Sequence, residues 1–333
     1  MNQPIQSRIL FVGAGFSANF DGYLTTQLWE HIYNQPDISK SRLIQSEMRD
    51  LYNVEDIPDR LKGEPRKAFM RAVKVAFAQH ESILDRNLLN PSAGFQSQRL
   101  KEWIRLFAGT QDEPGFIFSL NVDLLLEKLS HRSFNLTLPA LPDDLQPARI
   151  PETDIEKKLL DKAVLKCREI DRPHVGELNL IKLHGSINWR TLEGQGKRRL
   201  LVFGSQKSKT LKRWPLLSAN FNLLKHTLAS NWVSQVWIVG YGFGDSHINE
   251  ALFNACERNR SLGLYVIAGA TRPDTFFSHL RGKMPLRQFY SISNHIKAVI
   301  TNSFSGIFRQ AEGGGDSIPL QEIKQLMGVP IQR

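Results

Sequence analysis

The chain has 333 residues, enough for one large domain or two small ones, and its 41% hydrophobic and 23% charged residues argue against disorder or a fibrous architecture. No apolar run approaches the ~20 residues of a membrane span, the first residues lack the charged-then-apolar profile of a secretory signal, and two cysteines, Cys167 and Cys256, cannot build a disulfide scaffold or a four-thiolate zinc site. The 43 Lys and Arg outnumber 33 Asp and Glu for a net charge of +10, which suits a polyanionic partner, a dinucleotide substrate or simple solubility. A cytoplasmic chain without membrane contact is expected.

Ile9 to Val12 is a short apolar run that stops at Gly13-Ala14-Gly15, the pattern of a buried strand opening into a tight turn. From Thr25 to about Phe107 the spacing is mostly helical: Leu28, Trp29 and Ile32, then Phe69, Val73, Val75 and Phe77, then Leu100, Trp103, Ile104 and Phe107. Pro36, Pro58, Pro65 and Pro91 mark its breaks. Such a stretch is too long for one crossover between strands, so residues 24–110 read as an inserted helical subdomain. Phe116 to Leu120 is the next strand and ends in Asn121-Val122-Asp123. A second insertion, 124–176, carries four prolines between Pro139 and Pro151 and a helix expected from Asp154 to Cys167.

Leu178 to Leu183 reads as a strand ending in His184-Gly185-Ser186. Arg199 to Phe203, Val236 to Val239, Leu264 to Ala268 and Ala298 to Thr301 complete a set of about seven. Strands separated by helical segments predict an α/β fold: a parallel, Rossmann-like sheet with helices on both faces, spanning residues 1–310. Gly313-Gly314-Gly315 is a flexible joint before a short tail, 316–333. Basic clusters at Lys197-Arg198-Arg199 and at Lys207, Lys209, Lys212 and Arg213 read as loop edges, either solvated or forming a patch for nucleic acid or an acidic partner.

In open parallel sheets ligands bind beyond the carboxyl ends of the strands. Four such ends carry polar or glycine-rich clusters here: Gly13-Ala14-Gly15-Phe16-Ser17, Asn121-Val122-Asp123, His184-Gly185-Ser186, and Gly240-Tyr241-Gly242-Phe243-Gly244-Asp245. Gly13 to Ala18 fits G-x-G-x-x-G/A, whose glycines permit tight turning and whose N–H groups can face a pyrophosphate. A dehydrogenase would want an acidic residue ending a second strand, but Glu30 sits inside a helical pattern. Asn121 and Asp123, two apart, can reach one pocket. Asp123 and Asp245 equally suit helix N-caps, and His184 alone is as compatible with a structural role. Neither cysteine has a histidine at useful spacing, so a thiol nucleophile is not expected.

Taken in order, these four clusters, the third as Lys182-Leu183-His184-Gly185-Ser186 and the fourth extended through Ser246-His247-Ile248-Asn249, resemble the signatures of sirtuin-like NAD-binding domains. The likeness is greatest to the bacterial sirtuin-like group of antiphage defence systems and runs from about residue 8 to 270. It implies that the glycine turn binds the dinucleotide, that Asn121 and His184 serve cleavage of the nicotinamide–ribose bond, and that Asp123 lies near the nicotinamide end. Gly185, Ser186, Gly240, Tyr241, Gly242, Phe243 and Asp245 join Gly13 to Ser17 as the implied binding residues. Two departures separate the chain from deacylating sirtuins: it lacks their paired C-x-x-C zinc module, and Asn19-Phe20-Asp21-Gly22-Tyr23 stands where they carry Pro-Asp-Phe-Arg.

The expected activity is therefore hydrolysis of NAD⁺, as substrate rather than cofactor, to nicotinamide and ADP-ribose, without zinc. Rival readings are a transferase of ADP-ribose or acyl groups, and a non-catalytic nucleotide sensor whose basic surface holds nucleic acid. A free NAD⁺ hydrolase would exhaust its host, so restraint by a homo-oligomer or a separate defence-system partner is expected. The resemblance points to a HerA-type ATPase as that partner. The tail, with Leu320, Ile323, Leu326 and Met327 at helical spacing, either docks a partner or folds back on its own domain.

Overall fold

Four consecutive apolar residues can all be buried only in a strand covered on both faces. Ile9 to Val12 meet that condition within β1 (Ser7–Val12), the middle strand of a seven-stranded sheet. The computed structural model describes residues 7–51, 53–89, 97–130, 133–139, 163–165, 173–193, 196–204, 207–269, 272–311 and 315–329. The other strands in chain order are β2 (Gly115–Ser119), β3 (Leu136–Thr137), β4 (Ala163–Leu165), β5 (Leu178–Lys182) and β6 (Gly185–Glu193). They continue with β7 (Gly196–Leu201), β8 (Val233–Val239), β9 (Gly263–Ile267) and β10 (Ile296–Ile300). The large sheet runs β10-β9-β8-β1-β2-β5-β3, with every pair parallel.

Alternation along each strand divides the core between two faces. Leu10, Val12, Ile117, Trp237 and Val239 point to one face, where they meet Trp103 and Phe107. Ile9, Phe11, Phe116, Phe118, Val236 and Ile238 point to the other, against Leu224, Leu228, Ile248 and Leu252. Both faces are covered by helices, as the α/β reading requires.

The inserted layer comprises α2 (Thr25–Tyr33), α3 (Pro36–Ser39), α4 (Arg42–Asp50), α5 (Ile57–Arg60) and the long α6 (Gly63–Leu89), following a one-turn α1 (Ala14–Ala18). It has a hydrophobic core of its own, built on Ile32, Ile38, Ile44, Met48, Phe69 and Val73. The helical stretch breaks at Pro36 and Pro58 as expected, because each opens a new helix at its first or second position, where a missing N–H costs nothing; Pro65 stands in the first turn of α6, and Pro91 lies outside the described residues. Val75 is exposed instead of core-facing, because the buried stripe of α6 runs through Phe69, Ala72, Val73 and Ala76. The following α7 (Ser97–Arg105) buries Leu100, Trp103 and Ile104 against the main sheet.

Three expectations change. Arg199 to Phe203 does not add to the main sheet; β7 pairs antiparallel with β6, which starts one residue after His184, in a separate sheet ordered β4-β6-β7. The seventh place in the main sheet goes to the two-residue β3. The helix expected from Asp154 to Cys167 is a strand at Ala163–Leu165, and its remainder lies outside the described residues. The tail helix, Ile318–Leu326, folds back on its own domain, with Leu320, Ile323 and Met327 in the main core. Asp316 fastens it through Arg99 and Lys324. The Gly313-Gly314 joint lies outside the described residues. No described helix is long and apolar enough to cross a membrane.

The turns after β1 and β8 touch backbone to backbone. A Cβ on Gly240, whose φ is +63°, would lie 2.2 Å from the Phe16 nitrogen, and one on Gly15 would lie 2.7 Å from the Gly240 Cα. Gly242, two residues on, faces open space. Gly240→Ala is expected to lower unfolding stability by about 2–4 kcal/mol, combining a left-handed backbone penalty with overpacking. Gly242→Ala should stay within about 0.5 kcal/mol of the parent. Urea midpoints of the two variants check the contrast.

Candidate functional site

A cavity of about 960 Å³ opens where the turns after β1, β2, β5 and β8 meet the helical layer. Gly13, Ala14, Gly15, Ser17, Asn121, Asp123, His184, Gly240, Tyr241, Gly242, Phe243 and Asp245 all line it. Phe16, Gly185 and Ser186 do not. Phe16 is fully buried between Phe20 and Phe304. Gly185, at φ +79°, is where β6 passes so close to Leu200 that a Cβ would meet its carbonyl oxygen at 2.0 Å. The Ser186 hydroxyl donates to the Val122 carbonyl at 3.3 Å.

The glycine turn serves close approach more than anion binding. The N–H groups of Gly13, Gly15 and Phe16 donate to the carbonyls of Val239, Gly240 and Gly13. Beside them, the Ser17 hydroxyl donates to Asp123 Oδ2 at 2.7 Å and accepts from Asn121 Nδ2 at 2.9 Å. Asp123 Oδ1 accepts from the Leu125 N–H at 3.1 Å, opening α8 (Leu125–Ser130), so the aspartate caps a helix and holds the site together. Burial would raise the Asp123 pKa, but His80, the Lys182 charge and the Ser17 hydroxyl hold it down, to about 2. Lys182, itself buried, donates to the Asp123 carbonyl and pairs with Glu127 at 2.8 Å.

His80 had no signal beyond its place on the apolar stripe of α6, one turn past Ala76 and one before Leu84. Its Nδ1 accepts from the Tyr23 N–H at 2.9 Å, leaving the ring proton on Nε2, which faces Asp123 Oδ2 at 3.6 Å. Tyr23 and His80 both line the cavity, so the inserted layer forms one of its walls.

On the other side His184 is buried, with its Nε2 3.2 Å from His247 Nε2. Burial, with the nearby Lys207 charge, lowers the His184 pKa to about 3; burial lowers that of His247 as well. The two rings thus share a hydrogen bond as neutral imidazoles, one donating and one accepting. Asp245 does not cap the helix Ser246–Arg258 with its side chain; it pairs with Lys207 at 2.6 Å, and Lys207 reaches Glu55 of the helical layer at 2.8 Å. Burial opposes the charge on Lys207, but its two carboxylate partners win and raise its pKa. Lys207 is therefore a half-buried clasp, while Lys209, Lys212 and Arg213 lie exposed on α9 (Lys207–Arg213), a helix and not a loop edge. Lys197-Arg198-Arg199 lies in β7, also not a loop edge.

Tyr241 is fixed by Asn249, whose Oδ1 lies 2.9 Å from the phenol oxygen and whose Nδ2 donates to the Phe243 carbonyl at 2.9 Å. Phe243 is held at φ 54°, a strained position for a residue with a Cβ. Cys256 is buried and its thiol pushed up to about 12 by burial, far from a nucleophile; Cys167 lies outside the described residues. Among the described residues no group of three or more His, Cys, Asp or Glu could hold a metal ion.

No family model matches the chain, and no curated protein matches it by sequence. Among solved structures it is similar to one described as the structural basis for the mechanism and regulation of Sir2 enzymes, at 10% identity and a TM-score of 0.41, covering 96% of this chain and 93% of that one. A second, a histidine-to-asparagine variant of a Sir2 homologue in complex with ADP-ribose, is 11% identical with a TM-score of 0.42, covering 98% and 94%. At such distances the chemistry of this chain rests on its own residues.

The His184 pKa has a consequence for stability. It lies at about 3 in the folded chain against an ordinary 6.5, so the unfolded chain binds more protons between those values. Its contribution is complete above pH 6.5 and declines as pH falls, by about 2 kcal/mol at pH 5. Asp123, depressed from 3.8 to about 2, adds its loss only as pH falls below about 5. Urea midpoints from pH 7 to 5 should fall less steeply for His184→Gln than for the parent chain. Equal slopes would mean that His184 is charged in the folded state.

Proposed function

We propose that the chain is an NAD⁺ glycohydrolase, splitting NAD⁺ and water into nicotinamide, ADP-ribose and a proton. The observation that carries the reading is the meeting of Asn121 and a neutral, buried His184 on one cavity large enough for a dinucleotide. The C1′–N bond breaks with its electron pair passing to the nicotinamide ring, which leaves as a neutral molecule and needs no acid. A water oxygen bonds to the oxocarbenium-like C1′. A charged imidazole would oppose this cation; the neutral one does not. The water becomes strongly acidic as it adds, so even a weakly basic imidazole accepts its proton. His184 does so at Nδ1 if its Nε2–H is donated to His247. The Asn121 amide, with its nitrogen turned to Ser17, offers its carbonyl oxygen to the water or a ribose hydroxyl and holds the attack geometry. Tyr241 and Phe243 supply an apolar wall.

The order of the four motifs supports placing this activity in bacterial antiphage defence, where NAD⁺ depletion in the cytoplasm halts the infected cell. Such an enzyme needs restraint, which in this reading comes from self-association or from a separate partner such as a HerA-type ATPase. Because the tail helix is spent on its own core, contacts of that kind fall to other surfaces, the inserted helical layer first among them. Mass determination alongside NAD⁺ assays across protein concentrations checks this; a monomer equally active at every dilution and with every partner contradicts it.

Asn121→Ala and His184→Ala should each lower nicotinamide release by about 10²–10⁴-fold with the thermal transition retained. Near-parental activity in either folded variant removes that residue from the mechanism. Equal amounts of nicotinamide and free ADP-ribose are expected; label transferred to a protein acceptor would favour a transferase, and binding without turnover a sensor. Strong chelators should leave the rate unchanged.

A further inference from the structure

We propose that His80, supplied by the inserted helical layer, is a positioning residue that acts through Asp123 and Ser17 to set which end of the Asn121 amide faces the cavity. The inference deepens the hydrolase reading and rests on it for its kinetic arm, though the chain of polar contacts itself does not.

An asparagine side chain is nearly symmetric in shape, yet its two ends are opposite in hydrogen-bond character. What fixes it is the partner's proton count. The Ser17 hydroxyl has one proton, and an ionised carboxylate 2.7 Å away can only accept it. The Ser17 oxygen is thereby left as an acceptor, and Asn121 must turn its NH₂ toward it, as the 2.9 Å contact records. The carbonyl end has no partner among the described residues and is the end available to water or a ribose hydroxyl.

Asp123 in turn must keep Oδ2 aimed at Ser17. Its Oδ1 is held by the Leu125 N–H, and the remaining approach to Oδ2 is occupied by His80 Nε2 at 3.6 Å. His80 cannot rotate away, because the Tyr23 N–H holds Nδ1 and the neighbouring Gly22 packs on its ring, where a Cβ would lie 3.0 Å from Cε1. The four groups form one chain from α6 to the reacting water: His80, Asp123, Ser17, Asn121. All four are buried, so each depends on its neighbours in the chain more than on bulk solvent for its polar contacts.

Links of a single chain fail together, which separates this account from four independent structural contacts. The test is a double-mutant cycle in the full chain with His80→Ala, Ser17→Ala and both. Each single change should lower kcat for NAD⁺ at least about tenfold with KM within about threefold, and the double should be no slower than the slower single. His80→Gln, which can present an N–H toward Asp123, should recover most of the rate. Alongside, the Asn121 side-chain amide signals in ¹⁵N-labelled protein should move in His80→Ala and Ser17→Ala and return toward parental positions in His80→Gln. That readout needs no turnover. If the parent does not cleave NAD⁺ but the Asn121 signals move as stated, the relay stands and the hydrolase reading falls. If the losses multiply in the double variant, or the Asn121 signals stay in place in folded His80→Ala and His80→Gln chains, the relay is wrong while the hydrolase reading is untouched.

Discussion

The site depends on two turns being able to touch. The turn after β1 and the turn after β8 meet at Gly13, Gly15 and Gly240, with the Gly15 N–H donating to the Gly240 carbonyl at 2.8 Å. Side chains at these positions would place a Cβ 2.8, 2.7 and 2.2 Å from the opposing turn, where the atoms struck are backbone and cannot swing away. With the turns together, Ser17 is brought over the end of β2 to meet Asn121 and Asp123, and Tyr241 to Asp245 close the opposite wall. Glycine here is first a packing device: the N–H groups of Gly13 and Gly15 are consumed by contact with the β8 side, and that of Phe16 by its own turn.

The second constraint is electrostatic. Several ionisable groups sit almost out of water around one cavity, and each is matched. Lys207 is held between Glu55 and Asp245, Lys182 answers Glu127, and Asp123 takes the Ser17 hydroxyl and faces His80. Removing one partner of such a pair leaves a charge whose desolvation is unrepaid, so these contacts do more for uniqueness of geometry than for net stability. His184 solves the same problem differently: it stays neutral. The clasp and the His80 contact have a further consequence, since both join the inserted layer to the sheet across the cavity. Movement of that layer would alter the site directly, giving any assembly on its surface a physical route to the chemistry.

Much of this was legible in the sequence, for identifiable reasons. The strands β1, β2, β5 and β8 are short apolar runs buried on both faces, and each stops at Gly, Asn or His, so both strand and strand end are written locally. The tail helix was visible from Leu320, Ile323 and Met327, but periodicity says that a face is buried and not against what. The same limit explains Arg199 to Phe203: an apolar run specifies a strand but not its neighbour, and β7 found β6 instead of the main sheet. The two-residue β3 carries no pattern at all. At the site, His80 stands alone in a long helix with no motif around it. Its one signal was an ionisable residue on an apolar stripe. A basic cluster does not reveal that one of its members, Lys207, is turned inward to two carboxylates. Asp245 stands at the N-cap its sequence position suggests, but its side chain is one of those carboxylates.

The central claim is that this cavity directs water to the ribose carbon of NAD⁺. It is tested most directly by incubating the purified chain with NAD⁺ in ¹⁸O-labelled water and following products by NMR and mass spectrometry. The account predicts nicotinamide and ADP-ribose in equal amounts, with one ¹⁸O in the ADP-ribose from the earliest time point. Intact NAD⁺ at every protein concentration, with and without the candidate ATPase, or an ADP-ribose product that is cyclic or attached to protein, would contradict it.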